Sequence, residues 1–199
     1  MIVAGLTGSI AMGKSETAKM FAARGIPVFD SDAAVHELYS RGGEAVAAIA
    51  SFAPAAVKDG AVDRQALAER VIADPNLLQK IERAVHPLVK ERQSAFLASA
   101  REAGVSIAVL DIPLLFETGR EAEVDCVIVA SARADIQRER ALRRPGMNPE
   151  KLAFILSRQV PDAEKRARAD YVIDTSVSLE DTAREVERVI EDLKARAGK

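Results

Sequence analysis

Residues 8 to 15 read Gly-Ser-Ile-Ala-Met-Gly-Lys-Ser and satisfy the spacing G-x-x-x-x-G-K-[ST] at every fixed position. This spacing constrains the fold because it works only between a buried strand and the start of a helix. Residues 2–6 are apolar and partly β-branched, as a buried parallel strand requires. Residues 16–24 carry helix formers, with apolar side chains at Ala18, Met20, Phe21 and Ala22. Gly8 and Gly13 let the backbone between them curl with its N–H groups inward, forming a concave anion site. The helix N-terminus adds partial positive charge at the same place. Lys14 is then set to reach the β- and γ-phosphates of a nucleotide, and the Ser15 hydroxyl to hold Mg²⁺. The motif implies nucleotide phosphates; alone it does not separate a kinase from an ATPase or a GTPase.

Residues 26–29 read as a second strand, running into Asp30-Ser31-Asp32. Ligands of open α/β sheets bind beyond the carboxyl ends of the strands, so both carboxylates are expected at the crevice of the phosphate loop. The same pair also reads as the N-cap of a helix over 33–39, with one carboxylate capping and the other free for chemistry. Residues 33–104 are expected to be mostly helical, with breaks at Arg41-Gly42-Gly43, Pro54, Asp59-Gly60 and Asp74-Pro75. Asp63 reads as an N-cap for a helix over 64–72, and a long helix over 76–103 should be interrupted or kinked at Pro87, after His86. A simple crossover between two strands needs one helix. The surplus reads as a helical subdomain suited to a second substrate, or as extra packing.

Residues 106–110 form the clearest later strand, ending at Asp111, where a Walker-B-like carboxylate would stand near Mg²⁺. A turn or cap Asp is the alternative. Leu115 and Phe116 after it line an apolar wall or belong to the core. Residues 125–130 are another strand. The stretch from Arg133 to Arg168 then holds ten Lys and Arg against five Asp and Glu, a local balance of +5 in a chain whose formal net charge is −2. Gly146 and Pro149 divide it into two helices joined by a turn, a lid able to bring guanidinium groups onto a transferring phosphoryl group. For most of these arginines a solvated helix face is the plainer reading. Residues 171–173 read as the last strand and 179–197 as an amphipathic helix.

The expected architecture is an α/β P-loop NTPase fold: a five-stranded parallel sheet flanked by helices, with a helical substrate-binding insertion and a helical lid. The core spans 1–32, 105–135 and 169–199, the insertion 33–104 and the lid 136–168. A pI near 5.8 gives no overall basic surface for duplex nucleic acid. No apolar run approaches the ~20 residues of a membrane span. The chain opens directly on a core strand, leaving no room for a signal peptide. The single cysteine, Cys126, excludes an intramolecular disulfide and reads as a small buried core residue. A cytoplasmic enzyme is the expectation. No Asn-Lys-x-Asp guanine signature is present to favour a GTP-dependent switch.

Taken together, the motifs resemble the dephospho-CoA kinase family over nearly the whole length. The matching residues are Gly5-Leu6-Thr7-Gly8-Ser9-Ile10 running into Gly13-Lys14-Ser15, Asp30-Ser31-Asp32 with His36, His86-Pro87, and Asp111-Ile112-Pro113-Leu114-Leu115-Phe116-Glu117. Arg158-Gln159 and Ala169-Asp170-Tyr171-Val172-Ile173-Asp174 follow. The resemblance implies ATP-dependent phosphorylation of the ribose 3′-hydroxyl of dephospho-CoA, the last step of coenzyme A synthesis. Another small-molecule or nucleoside-monophosphate kinase is the alternative. It implies Asp32, Lys14 and Arg140 as catalytic residues. Nucleotide contacts fall on Gly8, Ala11, Met12, Gly13, Lys14, Ser15 and Glu16, acceptor contacts on Asp32, His86, Leu115 and Phe116, and Mg²⁺ on Ser15 and Asp111. The family loop usually reads Gly-Ser-Gly-Lys-Ser-Thr, where this chain has Ala11-Met12-Gly13-Lys14-Ser15-Glu16. Ala11 is therefore expected at negative φ, Met12 as bulk at the phosphate rim, and Glu16 as a charge that weakens nucleotide affinity.

Overall fold

The computed structural model describes residues 1–198; Lys199, the end of the expected last core segment, lies outside the described residues. The elements run β1 (Ile2–Thr7), α1 (Lys14–Ala23), β2 (Val28–Asp30), α2 (Ser31–Tyr39), α3 (Glu44–Phe52), β3 (Val57–Lys58), β4 (Ala61–Val62), α4 (Arg64–Ala73) and α5 (Asn76–Glu102). They continue with β5 (Ile107–Asp111), β6 (Cys126–Ser131), α6 (Ala134–Leu142), α7 (Pro149–Leu156), α8 (Asp162–Arg168), β7 (Tyr171–Asp174) and α9 (Leu179–Ala197). The chain divides into two compact units, residues 1–29 with those from 100 onward, and residues 30–99.

The five-stranded sheet has the order β2-β5-β1-β6-β7. β1 pairs in parallel with β5 and β6, and β6 in parallel with β7. β1 is central because its residues from Val3 to Thr7 are all buried, an apolar run that can cover both faces of a sheet. α1 and α9 bury Phe21, Val186, Val189, Ile190 and Leu193 against Leu6, Val109 and Ile128 of the strands. The register sets Leu6 opposite Asp111, Thr7 opposite Val129 and Ser131 opposite Asp174. The carboxyl ends of β1, β5, β6 and β7 are therefore level, and the loop over 8–13 leaves from that edge.

In the unit of residues 30–99, Asp30 caps α2 by accepting from the Ala33 N–H at 2.9 Å, and Asp63 caps α4 through Gln65 and Ala66. The Arg92 guanidinium bridges Glu37 of α2 and Glu44 of α3. One expectation for this stretch needs correction: Pro87 does not interrupt the helix, and α5 runs through it. The missing hydrogen bond is outweighed by Leu77, Ile81, Val85 and Val89, a stripe at every fourth residue that is buried on both sides of an exposed Pro87. The stretch is otherwise mostly helical, and the break at Asp59-Gly60 holds two short strands. β3 and β4 form an antiparallel hairpin, turned by Asp59 and Gly60 at φ 51° and 76°, which is the Asp-Gly turn suited to tight hairpins.

A second correction concerns 136–168. Three helices, α6, α7 and α8, stand where two were expected, because Pro161 starts a separate short helix after Gln159 and Val160.

Candidate functional site

The loop leaves β1 at Gly8. A Cβ there would sit 2.6 Å from the Ala130 carbonyl oxygen of β6, so glycine is required by room rather than by φ. Gly13 has both demands: its φ is 82°, and a Cβ would lie 2.8 Å from Thr175 Oγ1. Gly13 is the N-cap of α1 and supplies no side-chain cap, so the first N–H groups of that helix are open to an external anion. Lys14 is the first residue of α1, which starts two residues earlier than the helix-former pattern suggested.

Lys14 Nζ forms an ion pair with Asp111 Oδ1, and Asp111 is 3% exposed at the end of β5. The carboxylate therefore belongs to the strand, not to a cap. Ser15 is exposed one residue along, beside the loop. A hydroxyl and one carboxylate are hard oxygen donors, which fits Mg²⁺, a cation that takes few protein ligands and completes its shell with phosphates and water. Among the described residues no group of three or more His, Cys, Asp or Glu is placed to hold a metal ion.

Two expectations for the loop are overturned. Ala11 has φ 62°, in the left-handed region, not at negative φ. The cost is about 1–2 kcal/mol for a residue with a Cβ, and it is offset by burial of the methyl among Ala141, Leu152, Ile10 and Met147. Met12 is not bulk at the rim. Its side chain is 2% exposed and turned inward, with Sδ accepting from the Ala132 N–H at 3.0 Å beyond the end of β6. Glu16 lies exposed in the first turn of α1 and pairs with Lys19, which takes up part of its charge.

Arg140, in the last turn of α6, donates to Thr175 Oγ1 at 3.0 Å and to the Thr175 carbonyl at 2.7 Å. Thr175 Oγ1 in turn donates to the Met12 carbonyl at 2.9 Å. One threonine thus joins α6 to the phosphate loop. Leu115 and Phe116 are buried, at 0% and 6%. Leu115 packs toward Gly5, and the Arg168 guanidinium lies over the Phe116 ring at 4.5 Å, so both serve as packing in this unit. Asp32 and His86 belong to the unit of residues 30–99, where both are exposed, Asp32 in the first turn of α2 and His86 on α5. With Asp30 acting as the cap, the Asp32 carboxylate is left outside the capping bond.

Three residues went unassigned in the sequence. Gln159 Oε1 accepts from the Ile10 N–H at 3.0 Å, and Gln137 Nε2 donates to the Ile10 carbonyl at 2.9 Å. Lys165, one member of the basic run, is fully buried and paired with Glu117 at 2.8 Å. Their positions in a charged helical stretch gave no signal of burial. Only Gln159 and Glu117 stood in motifs that carry the resemblance.

Residues 1–181 match the dephospho-CoA kinase family. The chain is 55% identical over 198 residues to a dephospho-CoA kinase of Mesorhizobium japonicum, covering all of both chains. It is 53% identical to one of Brucella melitensis, covering 98% of this chain and 97% of that one. A crystal structure of a protein from Thermus thermophilus superposes with a TM-score of 0.81 at 34% identity, covering 96% of this chain and 97% of that one. A phosphate loop at the sheet edge, a buried carboxylate on its lysine and this likeness over the full length agree: the chain belongs to the dephospho-CoA kinase family.

Proposed function

We propose that the protein transfers the γ-phosphoryl group of ATP to the ribose 3′-hydroxyl of dephospho-CoA, giving coenzyme A and ADP. The observation that carries this reading is the meeting of Lys14 and Asp111 at the carboxyl edge of the sheet, in a chain of this family. Residues 8 to 15 hold the phosphates of ATP through backbone N–H groups, the open N-terminus of α1 and the Lys14 ammonium. Ser15 and Asp111 would hold Mg²⁺, which supplies neutralisation of phosphate charge when bound. Lys14, released from Asp111 by the incoming phosphates, follows the charge that builds on the transferring group. Arg140 adds a second cation, its direction set by Thr175.

Asp32 orients the 3′-hydroxyl and accepts its proton as the new O–P bond forms and the bond to the ADP oxygen breaks. Support for Asp32 over Asp30 comes from the cap: Asp30 is spent on the Ala33 N–H. The unit of residues 30–99 supplies the acceptor surface, with His86 among its contacts, and the helices between 134 and 168 act as the lid. The proposed site of action is the cytoplasm; no helix among the described residues is long and apolar enough to cross a membrane. An acceptor panel tests the reading. Dephospho-CoA should give a kcat/KM far above that for any nucleoside monophosphate, and equal or better turnover of AMP or CMP would replace it with the nucleotide-kinase reading.

A further inference from the structure

The two peptide groups on either side of the Ile10 Cα are each held by a side-chain amide from outside the loop. The Ile10 N–H is held by Gln159 at 3.0 Å and the Ile10 carbonyl by Gln137 at 2.9 Å. The next residue is Ala11, at φ 62°. A left-handed alanine reverts to ordinary backbone unless its neighbours fix it. One hydrogen bond on each of the two preceding peptide groups is a means of doing so.

Gln159 is in turn held by a buried device. The next residue, Val160, donates its N–H to Glu117 Oε1 at 2.9 Å, and the same oxygen receives the Lys165 ammonium at 2.8 Å. Lys165 is 0% exposed and the Glu117 side chain 11%. Alongside, Asp162 Oδ2 accepts from the Ser131 hydroxyl at 2.7 Å, tying the start of α8 to the end of β6. A buried ion pair contributes little net stability compared with an apolar pair of the same size, so its use here is to fix geometry.

We infer that Gln159 is a positioning residue for the phosphate loop, anchored by the bond from the Val160 N–H to the buried Glu117 carboxylate and acting on Ala11 and the N–H groups beyond it through the Ser9–Ile10 peptide. The inference rests on residues 8 to 15 being the ATP phosphate site. It assigns to Gln159 a role exerted through the loop backbone.

The test is steady-state kinetics with each substrate varied in turn, alongside thermal unfolding. Gln159→Leu keeps the bulk and removes the acceptor. It should raise the KM for ATP about fivefold to tenfold, the effect of one lost hydrogen bond, while the KM for dephospho-CoA stays within about twofold and Tm within about 2 °C. Glu117→Gln/Lys165→Met removes both charges but keeps an amide oxygen for the Val160 N–H, and should return a KM for ATP near the parent's. Glu117→Leu/Lys165→Met removes that acceptor and should reproduce the Gln159→Leu phenotype. An unchanged KM for ATP in Gln159→Leu, or an equal rise for both substrates, overturns the inference. Lys14→Ala separates the two levels of the argument. If it loses ATP binding by titration while Gln159→Leu is silent, only the positioning role falls; if it binds ATP as the parent does, both readings fall.

Discussion

Thr175→Val isolates the junction between α6 and the phosphate loop. Valine fills the volume of threonine, so packing is kept and only the polar contacts change. Thr175 is 5% exposed, and its hydroxyl makes two bonds, donating to the Met12 carbonyl at 2.9 Å and accepting from Arg140 at 3.0 Å. The Met12 carbonyl would lose this buried donor, at a cost of about 1–2 kcal/mol. Arg140 is half-buried, keeps the Thr175 carbonyl at 2.7 Å and can turn its freed N–H to water, so its loss adds only ~0.5 kcal/mol. The net expectation is about 2 kcal/mol, or a Tm lower by about 4–8 °C for a chain of this length. Thr175→Ser is the control: it keeps both bonds and loses one methyl, about 1 kcal/mol. Calorimetric unfolding of the three proteins should rank parent above Ser above Val. A valine variant as stable as the parent, or more stable than the serine variant, would refute the claim that this hydroxyl ties Arg140 to the loop.

Asp32→Asn should lower kcat by about two to four orders of magnitude with ATP affinity little changed, measured by single-turnover kinetics and nucleotide titration; near-normal turnover would remove Asp32 as the base. Ala11→Gly relieves a left-handed strain of about 1–2 kcal/mol and gives up a buried methyl worth about 0.8 kcal/mol plus backbone freedom, so its unfolding free energy should stay within about 1 kcal/mol of the parent. Burial, followed by the nearby Asp170 carboxylate, pushes the Cys126 thiol up to about 11 from 9.0. Its folded value is the raised one, so this stability contribution is whole below pH 9 and is lost as pH climbs toward 11. A pH series on parent and Cys126→Ala should show a steeper decline for the parent in that window, and alkylation of the parent at pH 8 should proceed only at the rate of unfolding.

The parts legible in the sequence are those whose physics is local. The phosphate loop is a spacing, and β5 announces itself as an apolar run ending in Asp111. Asp63 and α4 follow from an N-cap placed before helix formers. Pro87 misled because a local rule competes with a stripe of buried residues reaching from Leu77 to Val89, and the stripe wins. The β3–β4 hairpin was missed because two-residue strands carry no period, although Asp59-Gly60 held the turn signal. The φ of Ala11 and the inward turn of Met12 depend on Ala141, Leu152 and Ala132, which lie more than a hundred residues away in the chain. The same holds for Gln137 and Gln159 on Ile10, 127 and 149 residues distant. Lys165 looked like part of a solvated face because its partner, Glu117, lies in another segment, and seven-residue α8 is too short to show which of its sides is buried.

The most direct measurement is ADP release from ATP and Mg²⁺ with and without dephospho-CoA, followed by ³¹P NMR of the product. The account predicts acceptor-dependent ADP release, one ADP per coenzyme A, with the new phosphate on the ribose 3′-oxygen, and so a loop that works with Ala11 left-handed and Met12 buried. ADP release that ignores dephospho-CoA, or a product phosphorylated elsewhere, would contradict it.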